Sequence, residues 1–285
     1  MEFDWIINYD CNYRCKYCWY FGQWKQLEES VSQIPYEGII NFWERIYNEY
    51  NKAKIIISGG EPFLYPRFTE LMLTISKLHE IVVITNLSIY PDDLVKYAYK
   101  NNIEINASFH PDFANYNKFK KYAIDLKNNG LLYDITCLAW PPYIKNIEDF
   151  RKEFSDLGFN FSARPFYGLY DDRIYPESYT EEEKRIIENK NNSEKDLKNQ
   201  FQKDIKTSEF NASIAKVKNT KNKLCYAGSK FANIEQDGKI YRCGTDKKYI
   251  GQITDNEIPF YSEAKRCREE RCMCNRWQGL LVEDE

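Results

Sequence analysis

Six short runs of mainly apolar residues, at 3–8, 54–58, 81–86, 103–109, 133–140 and 159–166, alternate with longer amphipathic stretches over the first 168 residues. No other feature restricts the fold as much. Runs such as Ile55-Ile56-Ile57 and Ile81-Val82-Val83-Ile84 suit strands covered on both faces, which need no polar alternation. Between the runs, apolar residues recur at helical spacing. Ile39, Ile40, Trp43, Ile46 and Tyr47 form one stripe, opened by Pro35. Further stripes cover 68–78, 91–100, 116–129 and 147–157, the last two closed by Gly130 and Gly158. Six such alternations predict an α/β fold on a parallel sheet.

The cysteines supply the second constraint. The chain of 285 residues has nine, and eight of them fall into two groups near opposite ends. The opening Met1-Glu2-Phe3-Asp4 lacks the basic and apolar parts of a secretory signal, and no apolar run approaches the ~20 residues of a membrane helix. A cytoplasmic protein with no membrane partner is therefore expected. In a reducing cytosol, grouped thiols point to metal or redox chemistry rather than to disulfides. The net charge of −3 offers no cationic field for nucleic acid, and 43% hydrophobic residues can supply a sizeable core.

Cys11-Asn12-Tyr13-Arg14-Cys15-Lys16-Tyr17-Cys18 directly follows the first run. Three thiolates within one short loop can wrap one face of a cubane iron–sulfur cluster. The local supply stops at three, which leaves one iron open, the arrangement of a catalytic rather than a closed metal site. The alternative is a zinc knuckle with a distant fourth ligand, poorly served by a chain whose only histidines are His79 and His110. One strand later stands Ser58-Gly59-Gly60-Glu61-Pro62. Its glycines permit close backbone approach, and its carboxylate can accept hydrogen bonds from an amino group.

C-x-x-x-C-x-x-C after the first strand of a βα domain, with an aromatic before the third cysteine and Asn12 after the first, resembles the radical S-adenosylmethionine (radical SAM) superfamily. Gly59-Gly60-Glu61-Pro62 is similar to that family's motif for the amino group of the methionine moiety. The resemblance implies a partial (β/α)6 barrel with its chemistry at the C-terminal ends of the strands. It implies a 4Fe–4S cluster on Cys11, Cys15 and Cys18, and S-adenosylmethionine at Gly59, Gly60, Glu61 and Pro62, with Asn86 and Ser108 as further cofactor-binding candidates. The implied reaction is reductive cleavage of S-adenosylmethionine to a 5′-deoxyadenosyl radical that abstracts a substrate hydrogen atom. Such an enzyme works anaerobically and takes its electron from a donor such as flavodoxin or ferredoxin. His110, after the fourth strand, and Arg164, on the sixth, are candidate catalytic residues. A hydrogen-bonded structural role is the plainer reading of His110, and pairing with a carboxylate is the role open to Arg164. The arginine that many relatives carry after the fourth strand is replaced here by Asn115-Tyr116-Asn117-Lys118, while Cys137 reads as a core thiol.

Residues 170–223 are rich in Glu, Lys and Asn and read as exposed helices and a linker. From Leu224 onward come five cysteines and a hairpin turn at Asp237-Gly238, in a segment small enough to be held together by metal. Cys225 and Cys243 around that turn resemble the SPASM/twitch extension of radical SAM enzymes. This implies one auxiliary 4Fe–4S cluster on Cys225, Cys243 and two or more of Cys267, Cys272 and Cys274. A zinc ribbon and a second, partly liganded cluster are the alternatives. The expected organisation is a barrel over 1–168, a polar helical linker over 169–223 and an auxiliary-cluster domain over 224–285. The expected substrate is a peptide side chain or backbone, or a small sugar- or cyclitol-like metabolite, with the auxiliary cluster assisting oxidation or substrate positioning. A first strand at Phe3 leaves leader recognition to a separate protein, to residues 170–223 or to nothing, a slight push toward the metabolite. The lean of SPASM/twitch enzymes toward peptides brings the two close to even. A non-enzymic cluster carrier or electron-transfer protein is the competing class, and it has no need of an amino-group cradle.

Overall fold

The six apolar runs are strands. In the computed structural model, which describes residues 1–23, 34–97, 102–188, 219–270, 272 and 277–282, β1 (Glu2–Asn8), β2 (Lys54–Gly59), β3 (Glu80–Thr85), β4 (Ile103–Phe109), β5 (Leu132–Ala139) and β6 (Asn160–Pro165) pair in that order. Each is parallel to the next. Helices α1 (Tyr36–Tyr50), α2 (Phe68–Ile75), α3 (Asp92–Tyr97), α4 (Tyr116–Asn128) and α5 (Ile147–Asp156) occupy the crossovers. The α/β fold expected from the sequence is the one the chain adopts.

Burial alternates along the strands and fixes their register. Ile103, Ile105, Ala107 and Phe109 of β4 are buried under the helices, where Phe109 meets Phe119 of α4 and Phe154 of α5. Trp43 of α1 packs edge-on against Phe3 and lies beside Trp5. Gly130 and Gly158 take the positive φ, +71° and +76°, that ends α4 and α5. Asn115 is the N-cap of α4, accepting from the Lys118 amide at 3.0 Å. The opposite face of β4–β6 is polar and half-buried, carrying Glu104, Asn106, Ser108, Asp134, Thr136, Ser162 and Arg164.

Two parts depart from the sequence reading. The stretch read as helical from residue 170 begins with a hairpin, β7 (Gly168–Tyr170) and β8 (Arg173–Tyr175), before α6 (Glu181–Glu188). Its turn residues Asp171 and Asp172 both have positive φ, 50° and 56°, as a two-residue hairpin turn requires. The rest of the expected linker, 189–218, lies outside the described residues, as does Cys274.

The second departure concerns how the tail is held. It forms β9 (Leu224–Cys225), β10 (Phe231–Ile234), β11 (Lys239–Tyr241), β12 (Tyr249–Gln252), β13 (Lys265–Arg266) and α7 (Trp277–Leu280). The hairpin read at Asp237-Gly238 joins β10 to β11, with Gly238 at φ +77°. β10 then docks parallel to β1, from Glu2↔Phe231 to Trp5↔Ile234. One nine-stranded sheet results, ordered β12-β11-β10-β1-β2-β3-β4-β5-β6. Ile234, Ile240, Ile250 and Ile253 of the tail join the main hydrophobic core. Burial of apolar surface therefore helps anchor these strands. No described helix is long and apolar enough to cross a membrane.

Candidate active site

The cysteine loop is seated by backbone contacts with the Gly-Gly-Glu-Pro turn. β1 and β2 end side by side at Asn8 and Gly59. The Gly60 amide donates to the Asn8 carbonyl at 2.9 Å, and the Glu61 amide to the Asp10 carbonyl at 2.7 Å. A Cβ on Gly60 would lie 2.1 Å from the Asp10 oxygen, and one on Gly59 2.4 Å from the Asn8 oxygen. The close approach that demands glycine here is to the residues just ahead of Cys11.

Glu61 is fully buried. Its carboxylate accepts from the Thr85 hydroxyl at 2.7 Å, the Asn86 amide at 2.8 Å and the Phe63 amide at 3.1 Å. Burial pushes this carboxyl upward and outweighs the three donors that pull it down. Pro62 is buried and opens the 3-10 turn Pro62–Leu64. The Asn86 side chain donates to Asn12 Oδ1 at 3.0 Å and lies 3.8 Å from Cys11 Sγ, while Asn12 donates to the Ser88 hydroxyl at 2.8 Å. The ends of β1, β2 and β3 are thereby tied into one polar cluster beside the first cysteine.

The three N-terminal thiols are close enough for charge on one to raise the pKa of another. The Tyr13 amide points at Cys11 Sγ (3.4 Å) and the Tyr20 amide at Cys18 Sγ (3.5 Å). Burial pushes Cys11 up to about 11, Cys15 up to about 12, and Cys18 upward as well. Without metal these groups stay protonated at neutral pH, so loading iron must release protons. Donors aimed at sulfur, a loop of three thiols and adjacent polar groups fit a cluster with one open iron.

Among the two proposed catalytic residues, His110 is brought to this loop. Its Nδ1 lies 3.1 Å from the Tyr17 hydroxyl and 3.8 Å from Cys15 Sγ, and its ring stacks on Tyr17. Burial lowers His110 to about 4, so the imidazole is neutral. Arg164 and Ser108 lie on the polar face of β4–β6. Ser108 Oγ is 3.3 Å from Thr136 Oγ1, and Arg164 is influenced by Asp134 and Tyr167. The sequence reading used Tyr17 only as the aromatic before the third cysteine and did not foresee its contact with His110; its ring is walled in by Trp140 and Tyr143. The aromatic richness of the cysteine loop (Tyr13, Tyr17, Trp19, Tyr20) was the available signal.

A second thiol group lies in the tail. Cys225, Cys243, Cys267 and Cys272 line one pocket, together with Ala227, Arg242 and Asp246. Amides again face sulfur: Ala227 N to Cys225 Sγ at 3.5 Å, and Asp246 N to Cys243 Sγ at 3.1 Å. Among the described residues, no three His, Cys, Asp or Glu side chains are gathered tightly enough to hold one metal ion. Four thiols lining one pocket are a ligand set that either an iron–sulfur cluster or a tetrahedral zinc ion could take.

Comparison with known proteins agrees with this geometry. Residues 5–126 match the sequence model of the Radical SAM superfamily. A Methanocaldococcus jannaschii protein named for glycyl-radical enzyme activation is 25% identical over 53% of this chain and 51% of its own length. A Methanocella arvoryzae protein named as a GTP 3′,8-cyclase is 36% identical over 27% of this chain and 23% of its own. The chain thus spans about half or less of the curated relatives it matches. Among solved structures, anSMEcpe with bound AdoMet shares the fold at a TM-score of 0.60 and 16% identity, covering 90% of this chain and 78% of the other. The same protein with AdoMet and the Cp18Cys peptide gives 0.59 and 18% over 90% and 78%.

Proposed function

Because residues 5–126 match the Radical SAM superfamily, we propose that this chain cleaves S-adenosylmethionine reductively and uses the resulting radical to take a hydrogen atom from a polar substrate. The observation that carries this reading is the convergence of Cys11, Cys15 and Cys18 with Glu61 and Asn86 at the C-terminal ends of β1, β2 and β3. When bound, a 4Fe–4S cluster supplies the single electron that splits the cosubstrate into methionine and the 5′-deoxyadenosyl radical.

The chain's own groups divide the remaining work. Cys11, Cys15 and Cys18 hold the cluster, and the amides facing their sulfurs favour the thiolate form. Glu61 fixes the turn against β3, with its carboxylate occupied by three protein donors, and Asn86 presents its amide beside Cys11. The rings of Tyr13, Tyr17 and Trp140 shield the loop from water. The substrate lies against the polar face of β4–β6, near Ser108 and Arg164, and is a peptide or a small hydroxylated metabolite. Cys225, Cys243, Cys267 and Cys272 hold an auxiliary 4Fe–4S cluster that serves the oxidation. Electrons come from a flavodoxin- or ferredoxin-like donor.

The test is anaerobic reconstitution followed by reduction with S-adenosylmethionine present. Slow release of 5′-deoxyadenosine is expected even without substrate. Release of S-adenosylhomocysteine alone would replace hydrogen abstraction with methyl transfer, and iron uptake with neither product would leave an electron carrier.

A further inference from the structure

Arg242 is almost wholly buried beside the tail cavity, and each of its five N–H groups has an acceptor. Nε donates to the Ala227 carbonyl at 3.0 Å. Nη1 donates to Asp246 Oδ2 at 2.9 Å and to the Arg266 carbonyl at 2.8 Å. Nη2 donates to the Lys265 carbonyl at 2.6 Å and the Cys225 carbonyl at 3.3 Å. These acceptors lie on three separate pieces of chain, and each piece carries a cysteine. Cys225 is itself an acceptor, Arg266 precedes Cys267, and Asp246 aims its amide at Cys243 Sγ.

Asp246 closes the arrangement from the other side. Its second carboxylate oxygen accepts from Arg268, one residue past Cys267, at 2.9 Å from Nε. Burial alone would raise the Asp246 carboxyl, but hydrogen bonds and charge from Arg268 and Arg242 hold it below the usual range. A charged fork whose partners are all satisfied stabilises what it joins, whereas removing it takes a donor from four carbonyls and leaves the buried Asp246 carboxylate to Arg268 alone.

We propose that Arg242 is the positioning residue of the tail's thiol site, assembling the frame around Cys225, Cys243 and Cys267 before iron arrives. The identity of the metal group in that frame rests on the auxiliary-cluster reading above, while the frame itself does not. Small metal-dependent segments ordinarily fold only as the metal binds. Here the ordering is completed by one side chain and by the pairing of β9 with β13, Lys265↔Cys225 and Arg266↔Leu224. Iron then enters a made cavity and fills it without building it.

The experiment compares full-length wild type, Arg242→Met, Arg242→Lys and the double variant Cys225→Ser/Cys243→Ser. Each is stripped of iron by chelation and followed by amide hydrogen exchange, then reconstituted. Iron-free wild type and the cysteine double variant are expected to protect 224–227 and 265–267 equally. Arg242→Met should lose that protection by roughly tenfold or more, the factor that one charge-assisted hydrogen bond is worth, while β1–β6 stay protected. Its iron should drop from about eight to about four, the N-terminal cluster remaining. Arg242→Lys keeps the charge without the fork and should recover only part of either loss. A tail unprotected in iron-free wild type, or protected in Arg242→Met, overturns the proposal. Should wild type bind only about four irons with its tail protected, the frame stands and the auxiliary-cluster reading falls.

Discussion

Asn86 gives its backbone N–H to the Glu61 carboxylate at 2.8 Å and directs its side-chain amide toward Asn12 and Cys11. Glu61 therefore sets where Asn86 stands, and Asn86 borders the thiol loop. All three partners of the carboxylate reach it as donors, so Glu61→Gln must point an NH2 at a backbone N–H in either amide orientation. A donor left without an acceptor in a buried site costs about 1–3 kcal/mol. We expect Glu61→Gln to lower the melting temperature of the iron-free chain and to weaken S-adenosylmethionine binding by about tenfold or more in equilibrium dialysis. Unchanged stability would show that the turn does not depend on the carboxylate.

Replacing Cys11, Cys15 and Cys18 together with alanine should reduce reconstituted iron from about eight to about four atoms per chain. Formation of 5′-deoxyadenosine should cease in the same preparation. Iron and acid-labile sulfide assays decide the first point. Undiminished iron would move the catalytic cluster elsewhere.

Tyr17 bears on the cluster through Cys15. Its hydroxyl, beside His110 Nδ1, is near enough to Cys15 to pull that thiol down, against the larger upward push of burial. Hydrogen bonds to cluster sulfur stabilise the more negative, reduced state. Tyr17→Phe should accordingly move the reduction potential of the N-terminal cluster to more negative values in an EPR-monitored titration, with iron content unchanged. A potential equal to wild type would mean that the hydroxyl serves His110 alone.

Two half-buried carboxyls, Asp4 and Glu104, give the iron-free fold a pH dependence of definite sign. Burial pushes Asp4 up to about 7, and burial with the neighbouring charge of Asp134 does the same to Glu104. Between their unfolded values and about 7 the native state binds more protons than the unfolded chain. Stability is therefore highest below the unfolded values and is lost as pH rises through about 7. Glu104→Gln should flatten this fall, stabilising the chain at pH 8 by at most about 3 kcal/mol and changing little at pH 4. Urea unfolding of both proteins across that range provides the check.

The strands of the sheet were legible because β1–β6 each carry a face that only the helices can cover, as with Ile103, Ile105 and Phe109 of β4. The β7–β8 hairpin was not, since Asp171-Asp172 lacks the glycine that usually marks such a turn. Nor was the docking of β10 beside β1, because a pairing between Glu2 and Phe231 leaves no local pattern in either segment. At the site, the cysteines and the Gly-Gly-Glu-Pro turn announce themselves by spacing. The contact of His110 with Tyr17 depends on how β4 passes the loop, and an arginine preceding Cys243 reads as an ordinary surface cation until the fold buries it.

The parallel seam between β1 and β10 also fixes a distance. Cys11 lies three residues beyond the upper end of β1, whereas Cys243 packs with Phe231, the residue paired to Glu2 at the lower end. A strand of this length rises roughly 20 Å, so the two thiol sites are mounted at opposite ends of one rigid rail. A small substrate reacting above the strand ends is out of reach of the lower site, and a peptide would need about six extended residues to span the two. Any electron exchanged between the two sites would cross this span, which the hydrogen-bond ladder keeps constant from one turnover to the next.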